Sequence, residues 1–235
     1  MRLDKFAASQ RSDLSRSDVK ELCRKGLVTV NGSVVRKPDA SVDENSDEVC
    51  ISGERIVYRK YVYIMLNKPA GVICATKDRL TETVLELIPP ELRRDGLFPA
   101  GRLDKDTEGF VLITDDGELA HKMLSPKSHV PKTYFVRLEK PLSEDTAPRF
   151  AGGITIDGGE LCLPAELRAG ESPNECFLVL HEGKFHQVKR MFAAVGNKVV
   201  YLKRIRIGAL DLDENLTYGG CLEILHKDVD KLLSR

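Results

Sequence analysis

Residues Gly101 to Gly109 read GRLDKDTEG, and the rest of the chain becomes legible outward from them. A glycine stands at each end, the acids Asp104, Asp106 and Glu108 alternate, Arg102 precedes them, and the apolar run Phe110 to Ile113 follows. Carboxylates this dense beside apolar residues are costly to fold unless at least one has a task, and Asp104 is the candidate. Two plainer readings compete. Asp104, Asp106, Glu108 and Gly109, with Asp115 at the closing position, fit the opening of a calcium loop, but that loop needs a helix on each side. Here Pro99-Ala100-Gly101 precedes, and Val111-Leu112-Ile113-Thr114 follows as a strand-forming run. An ordinary acidic surface turn is the other reading, and the stretches further along the chain weigh against it.

At 235 residues the chain suits one large domain, or a small one plus a medium one. Its 36 basic and 36 acidic side chains cancel, so only their distribution informs. Between Lys184 and Arg206 there are seven Lys and Arg and no acid, whereas acids crowd 39–54 and 211–214. A basic face of this kind is the electrostatic footprint of a nucleic-acid binder. The six cysteines contain no Cys-x-x-Cys pair and sit mostly among apolar residues, which speaks against a zinc site or a disulfide framework and for reduced thiols. The sequence is charged from Arg2 onward and has no apolar run near the length of a membrane span. A soluble, cytoplasmic protein without a membrane partner is expected.

The spacing predicts helices over 1–10 and 15–25. In the second, Ser15 and Asp18 form a capping pair, Val19, Leu22 and Cys23 an apolar stripe, and Gly26 the stop. Arg16, Lys20 and Arg24 recur every fourth residue and so lie along one face. Val28-Thr29-Val30, Asn31-Gly32 and Ser33-Val34-Val35 follow as a hairpin, because Asn-Gly accepts the positive φ angles of a type I′ turn. MRLDKF, LSRSDVKELCRKGLVTVNG and a second strand pair reaching Val49-Cys50-Ile51 resemble the α-L RNA-binding motif of the ribosomal-protein S-four type. That resemblance implies phosphate contacts from Arg2, Lys5, Arg16, Ser17, Lys20, Arg24 and Lys25, which would position RNA without reading its sequence. The mixed-charge stretch 52–60 reads as a linker, placing an α-L RNA-binding domain at 1–59 and a larger domain at 60–235.

In that larger part, strand signals fall at 61–66, 111–114, 133–138, 176–181 and 199–207. Helix signals fall at 81–88, 117–124 (capped by Asp115 with Glu118), 143–150, 185–195 and from Lys227 onward. Hairpin-like spacings mixed with helical connections predict an α+β fold with a mainly antiparallel sheet. No GxGxxG or Walker loop is present, so no nucleotide cofactor is indicated, and the five histidines lack metal-ligand spacing. In the 185–195 helix, Val188, Met191, Phe192 and Val195 form the core-facing seam. Lys189 sits on its shoulder between Phe185 and Phe192, with an apolar stem and a charge that needs a carboxylate. Arg190 points toward solvent. His186 reads as a structural histidine or an RNA contact, since no nucleophile flanks it.

GRLDKDTEG, KTYFV at 132–136, EGKFHQVKRMF at 182–192 and LKRIRIG at 202–208, in this order after the α-L module and with NKPAG at 67–71, resemble the RsuA-type pseudouridine synthases. HQVKRMFAAVGN at 186–197 is most similar to the branch acting on small-subunit (16S) ribosomal RNA. The resemblance implies that Asp104 is the catalytic aspartate, Tyr134 the pocket tyrosine, Lys189 the basic partner of the aspartate and Leu202 the apolar pocket wall. Arg102 would fill the space left by the extruded base or hold a flanking phosphate, and Arg190 would join the RNA-binding set. Asp106 and Glu108 receive no role. The implied reaction is an isomerisation needing no cofactor, on ribosomal RNA or a small-subunit assembly intermediate. A monomer is expected, since no heptad or exposed apolar stripe calls for self-association. Two rivals remain: the same chemistry on large-subunit (23S) RNA, and a non-catalytic RNA-binding assembly factor.

Overall fold

The computed structural model describes residues 1–11, 13–125 and 127–234. The chain forms two compact units, Met1–Val62 with Ile88–Leu97, and Tyr63–Leu87 with Phe98–Arg235. Grouping 88–97 with the first unit is something a single cut near residue 60 cannot express.

The first unit contains helices α1 (Leu3–Gln10) and α2 (Arg16–Lys25) and strands β1 (Val28–Val30), β2 (Ser33–Val34), β3 (Val49–Ile51) and β4 (Glu54–Ile56). The strands pair in the order β2-β1-β3-β4, all antiparallel. Local chemistry accounts for the boundaries. Ser15 and Asp18 exchange both bonds of a capping box, and Gly26 ends α2 at φ 73°. Asn31 and Gly32 turn the hairpin at φ 51° and 77°. Leu3, Phe6, Val19, Cys23, Val28, Val49 and Ile51 make the core, each large apolar side chain contributing roughly 1.5–3 kcal/mol.

The second unit contains β5 (Tyr63–Lys68), β6 (Phe98–Ala100), β7 (Glu108–Thr114), α3 (Gly117–Leu124), β8 (Lys132–Leu138), α4 (Thr146–Ala151), β9 (Thr155–Ile156), β10 (Glu160–Leu161) and β11 (Glu166–Ala169). It continues with β12 (Glu175–Leu180), α5 (Gln187–Ala194), β13 (Val199–Ile207), β14 (Leu210–Asp211) and β15 (Cys221–Glu223). Among the described residues, nine strands form one sheet with the path β11-β12-β8-β13-β7-β5-β15, β14 joining β13 and β6 joining β7. Among the described strand pairs of this sheet only β13 and β7 run parallel, so the sheet is mixed and mainly antiparallel. All of β5 and most of β7 are buried, which is why Tyr63 to Leu66 and Phe110 to Ile113 read as unbroken apolar runs. At their junction with β13, Gly109 opposes Arg204. A Cβ on Gly109 would lie 2.2 Å from the Arg204 carbonyl oxygen, and its φ is +101°, so the closing glycine of GRLDKDTEG is what lets the parallel strand approach.

Several expectations need correction. Residues 81–88 are not helical: Thr83 bridges to Ile73, Val84 N–H donates to Ile73 O at 3.0 Å, and turns follow. The β-branched Thr81, Thr83 and Val84 and the pair Pro89-Pro90 disfavour a helix there. The cap of α3 is Asp116, which accepts from the Glu118 and Leu119 N–H groups, rather than Asp115. The α4 helix starts at Thr146 instead of 143, and the C-terminal segment His226–Leu233 is wound as 3₁₀ turns. All six cysteines are free, and among the described residues no helix is long and apolar enough to cross a membrane.

Candidate active site

The GRLDKDTEG loop joins β6 to β7, and its backbone is fastened from below. Lys68, at the end of β5 and fully buried, donates through Nζ to the carbonyl oxygens of Thr107 (2.8 Å), Pro69 (3.0 Å) and Lys105 (3.2 Å). Burial pushes this ammonium below its ordinary pKa, and the neighbouring acids only partly restore it. Gly71 N–H donates to Lys105 O at 2.8 Å, and Leu103 N–H to the Cys74 sulfur at 3.3 Å. NKPAG therefore holds the acidic loop in one shape, a function the sequence reading did not give it.

The loop borders a cleft of about 1130 Å³ within the second unit, whose lining includes Arg102, Asp104, Lys132, Tyr134, His186, Lys189, Leu202 and Arg204. On the opposite wall, α5 is anchored through Phe192, whose ring packs edge-on against Phe150 at 5.1 Å. Val188, Met191 and Phe192 are buried as the periodicity requires, while Val195 is only partly so. This orientation aims Lys189 across the cleft. Its Nζ lies 3.4 Å from Asp104 Oδ2 and 2.6 Å from Asp106 Oδ1. The close hydrogen bond from Lys189 holds the Asp106 carboxyl below its ordinary range, against the opposing effect of desolvation. His186, the residue before α5 and in the left-handed region at φ 48°, places Nε2 3.5 Å from Asp104 Oδ1. Asp104, at 26 % side-chain exposure, thus faces the Lys189 ammonium and the His186 ring.

The floor is the sheet. Tyr134 on β8 and Leu202 on β13 are buried, and Arg204 is the cross-strand partner of Tyr134. The structure brings Asp104, Arg102, Tyr134, Lys189 and Leu202 to one cleft. Two details differ from the sequence reading. Phe185 does not shield Lys189: it is 72 % exposed and stacks on the His186 ring, because the helix begins two residues later. Arg190 does not point freely to solvent: it is bound to Asp157 (2.5 Å), Glu160 (2.7 Å) and the Phe185 carbonyl (3.1 Å), so it clamps the β9–β10 turn. The sequence reading assigns Asp106 no role and takes His186 as a structural histidine or an RNA contact. Lys132 falls inside the KTYFV motif, and Arg204 inside the LKRIRIG motif and the basic run 184–206, but neither is singled out there.

In the first unit, Lys5, Ser17, Lys20 and Arg24 are exposed, and Lys25 pairs with Glu21 at 2.7 Å. Arg2 and Arg16 both bind the buried Asp4, at 3.1 and 2.9 Å. Burial pushes the Asp4 carboxyl up, but the two guanidinium groups outweigh it and hold it below the ordinary value.

A ring-and-aliphatic floor with the Asp104 carboxylate at its rim beside the Lys189 ammonium suits a carboxylate-dependent reaction on a flat, largely uncharged group. Residues 62–194 match the RNA pseudouridylate synthase family, and residues 1–49 match the S4 domain. The chain is 45 % identical to an uncharacterised RNA pseudouridine synthase of Bacillus subtilis, YtzG, covering 99 % of this chain and 98 % of that one. It is 41 % identical to the ribosomal small subunit pseudouridine synthase A of Vibrio vulnificus, with 99 % of each chain covered. A crystal structure of a pseudouridylate synthase superposes with a TM-score of 0.69 at 39 % identity, covering 99 % of both chains. The chain belongs to the RNA pseudouridylate synthase family.

Proposed function

We propose that this protein converts one uridine of small-subunit (16S) ribosomal RNA to pseudouridine, in the cytoplasm and as a monomer, with Asp104 as the catalytic carboxylate. Residues 60–235 carry the chemistry, and residues 1–59 grip structured RNA through Arg2, Lys5, Arg16, Ser17, Lys20, Arg24 and Lys25. The reaction breaks the bond from ribose C1′ to N1 of the base and remakes it to C5. C1′ develops cationic character as in glycoside cleavage, so an ionised carboxylate beside it can attack it or stabilise it. The Lys189 ammonium, 3.4 Å away, gives that carboxylate a counter-charge. A stacked uridine must first be extruded, at a cost of about a few kcal/mol, and Arg102 at the cleft is suited to replace it in the stack. The detached base must turn without escaping, which calls for a slot that excludes water.

The single observation carrying this reading is that the Asp104 carboxylate, 3.4 Å from Lys189, borders the same cleft as Tyr134 and Leu202. The small-subunit target is supported by the likeness to the ribosomal small subunit pseudouridine synthase A of Vibrio vulnificus. Mapping pseudouridines in ribosomal RNA from cells with and without the gene tests it: one 16S position should lose its pseudouridine. Loss at a 23S position instead would move the target, and no change at any position would end the enzymatic reading.

A further inference from the structure

Two cations, Arg204 and Lys132, lie on the sheet floor. Arg204 opposes Tyr134, and Leu202 opposes Val136, across β13 and β8. With the two-residue alternation of strands, Lys132, Tyr134, Leu202 and Arg204 share one face, and all four line the cleft. Arg204 is 3 % exposed. Its Nε donates to Phe110 O at 2.8 Å, but its Nη2 is buried and has no hydrogen-bond partner in the protein. Lys132 donates to Val130 O at 3.0 Å, which uses one of its three N–H groups. Burial, with a further push from Arg204, lowers the Lys132 pKa to about 8. Among the described residues neither side chain is ion-paired. A buried charged donor left unpaired is costly, and in a native fold it calls for a partner supplied from outside.

The position decides what that partner is. Arg204 is nearly sealed and stands beside the Tyr134 ring, so the group arriving there is a flat base and not the solvated phosphate that trails behind it. On uracil the acceptors are the carbonyl oxygens O2 and O4. We propose that Arg204 Nη2, assisted by the Lys132 ammonium, donates to a carbonyl oxygen of the extruded uracil and holds the base while its bond to ribose is exchanged. This rests on the isomerase reading given above. When the C1′–N1 bond breaks, its electron pair stays with the base, and the charge spreads onto O2 and O4. When C1′ bonds to C5, the C5 proton leaves, N1 takes up a proton, and the base is neutral again. Fixed cations at a carbonyl oxygen therefore bind the detached base more tightly than the intact nucleoside, which is differential stabilisation. They also give the base a pivot against escape.

The test uses the full-length protein and RNA carrying uridine, 2-thiouridine or 4-thiouridine at the modified position, with wild type, Arg204→Gln and Lys132→Gln compared in single-turnover reactions. Sulfur accepts hydrogen bonds poorly, so one of the two thio substitutions should slow the wild type. Arg204→Gln should lower the rate on uridine about 10²-fold with RNA affinity unchanged, and the thio effect should fall toward 1 in both variants. A thio effect of the same size in wild type and variants would overturn the proposal, because a merely structural role multiplies with the substitution. Variants that weaken RNA binding and its salt dependence without slowing the chemical step would indicate a phosphate contact and would also overturn it. If Arg204→Gln does not fold, Lys132→Gln, at a half-buried position, carries the same comparison. Wild type that leaves uridine unaltered would overturn the isomerase reading itself, and the proposal with it.

Discussion

The Lys189 ammonium donates to Asp106 at 2.6 Å, a shorter contact than the 3.4 Å to Asp104. Lys189 is therefore shared between two carboxylates. The Asp106 side chain is 73 % exposed, and water screens its pull. Removing it leaves Lys189 free to settle on Asp104. Asp106→Asn should change the single-turnover rate by no more than about tenfold, whereas Lys189→Met should lower it about 10²-fold or more. Equal losses in the two variants would make Asp106 the essential acid.

Asp4 binds Arg2 and Arg16 together, fixing two guanidinium groups on the helical module. Asp4→Asn should weaken RNA binding about tenfold through loss of that arrangement while the chemical rate at saturating RNA stays unchanged. There is also a pH signature. The folded pKa of Asp4 is below its ordinary 3.8, so its contribution to stability is present above about pH 4 and is lost as pH falls through the folded value. Acid unfolding, followed by circular dichroism, should begin nearer neutrality in the variant.

Gly109→Ala should cost about 3 kcal/mol or more, because the new methyl meets the Arg204 backbone in addition to adopting a positive φ. Gly158 also has a positive φ, of +76°, but a Cβ there meets nothing within 4 Å, so Gly158→Ala should cost only about 1 kcal/mol. Denaturant midpoints of the two variants check the difference.

Much of this fold is written locally. Ser15, Asp18, Gly26 and the Asn31-Gly32 pair fix their elements with side chains a few residues apart, and the limits of β13 follow from its own alternation. Where long-range pairing decides, local signals misled. Thr83 and Val84 are drawn to Ile73, so 81–88 cannot wind into a helix, and Tyr63, which donates to Asp116 at 2.7 Å, helps make Asp116 the cap of α3. The cleft residues Asp104, Tyr134, Lys189 and Leu202 were found through motif order. Asp106 as the nearer partner of Lys189, Arg190 as a clamp and Arg204 as a buried donor depend on contacts across 33 to 94 positions of chain, which no spacing rule reaches.

Lys132 gives the fold a basic-side pH dependence. Its folded pKa of about 8 lies below the ordinary 10.5, so between these values the unfolded chain holds a proton that the folded protein has released. From this group stability rises with pH across the window: the gain is complete above 10.5 and is lost as pH falls through 8. Lys132→Met should abolish that slope, read as the change in denaturant midpoint between about pH 7.5 and about pH 10.

Asp104→Asn keeps the shape of the side chain and removes its charge, so it tests the central claim most directly. Pseudouridine formation by the variant, measured in a single turnover alongside RNA affinity, should fall below detection while affinity stays within about twofold of wild type. Full activity in Asp104→Asn would contradict the assignment of this carboxylate to the chemistry.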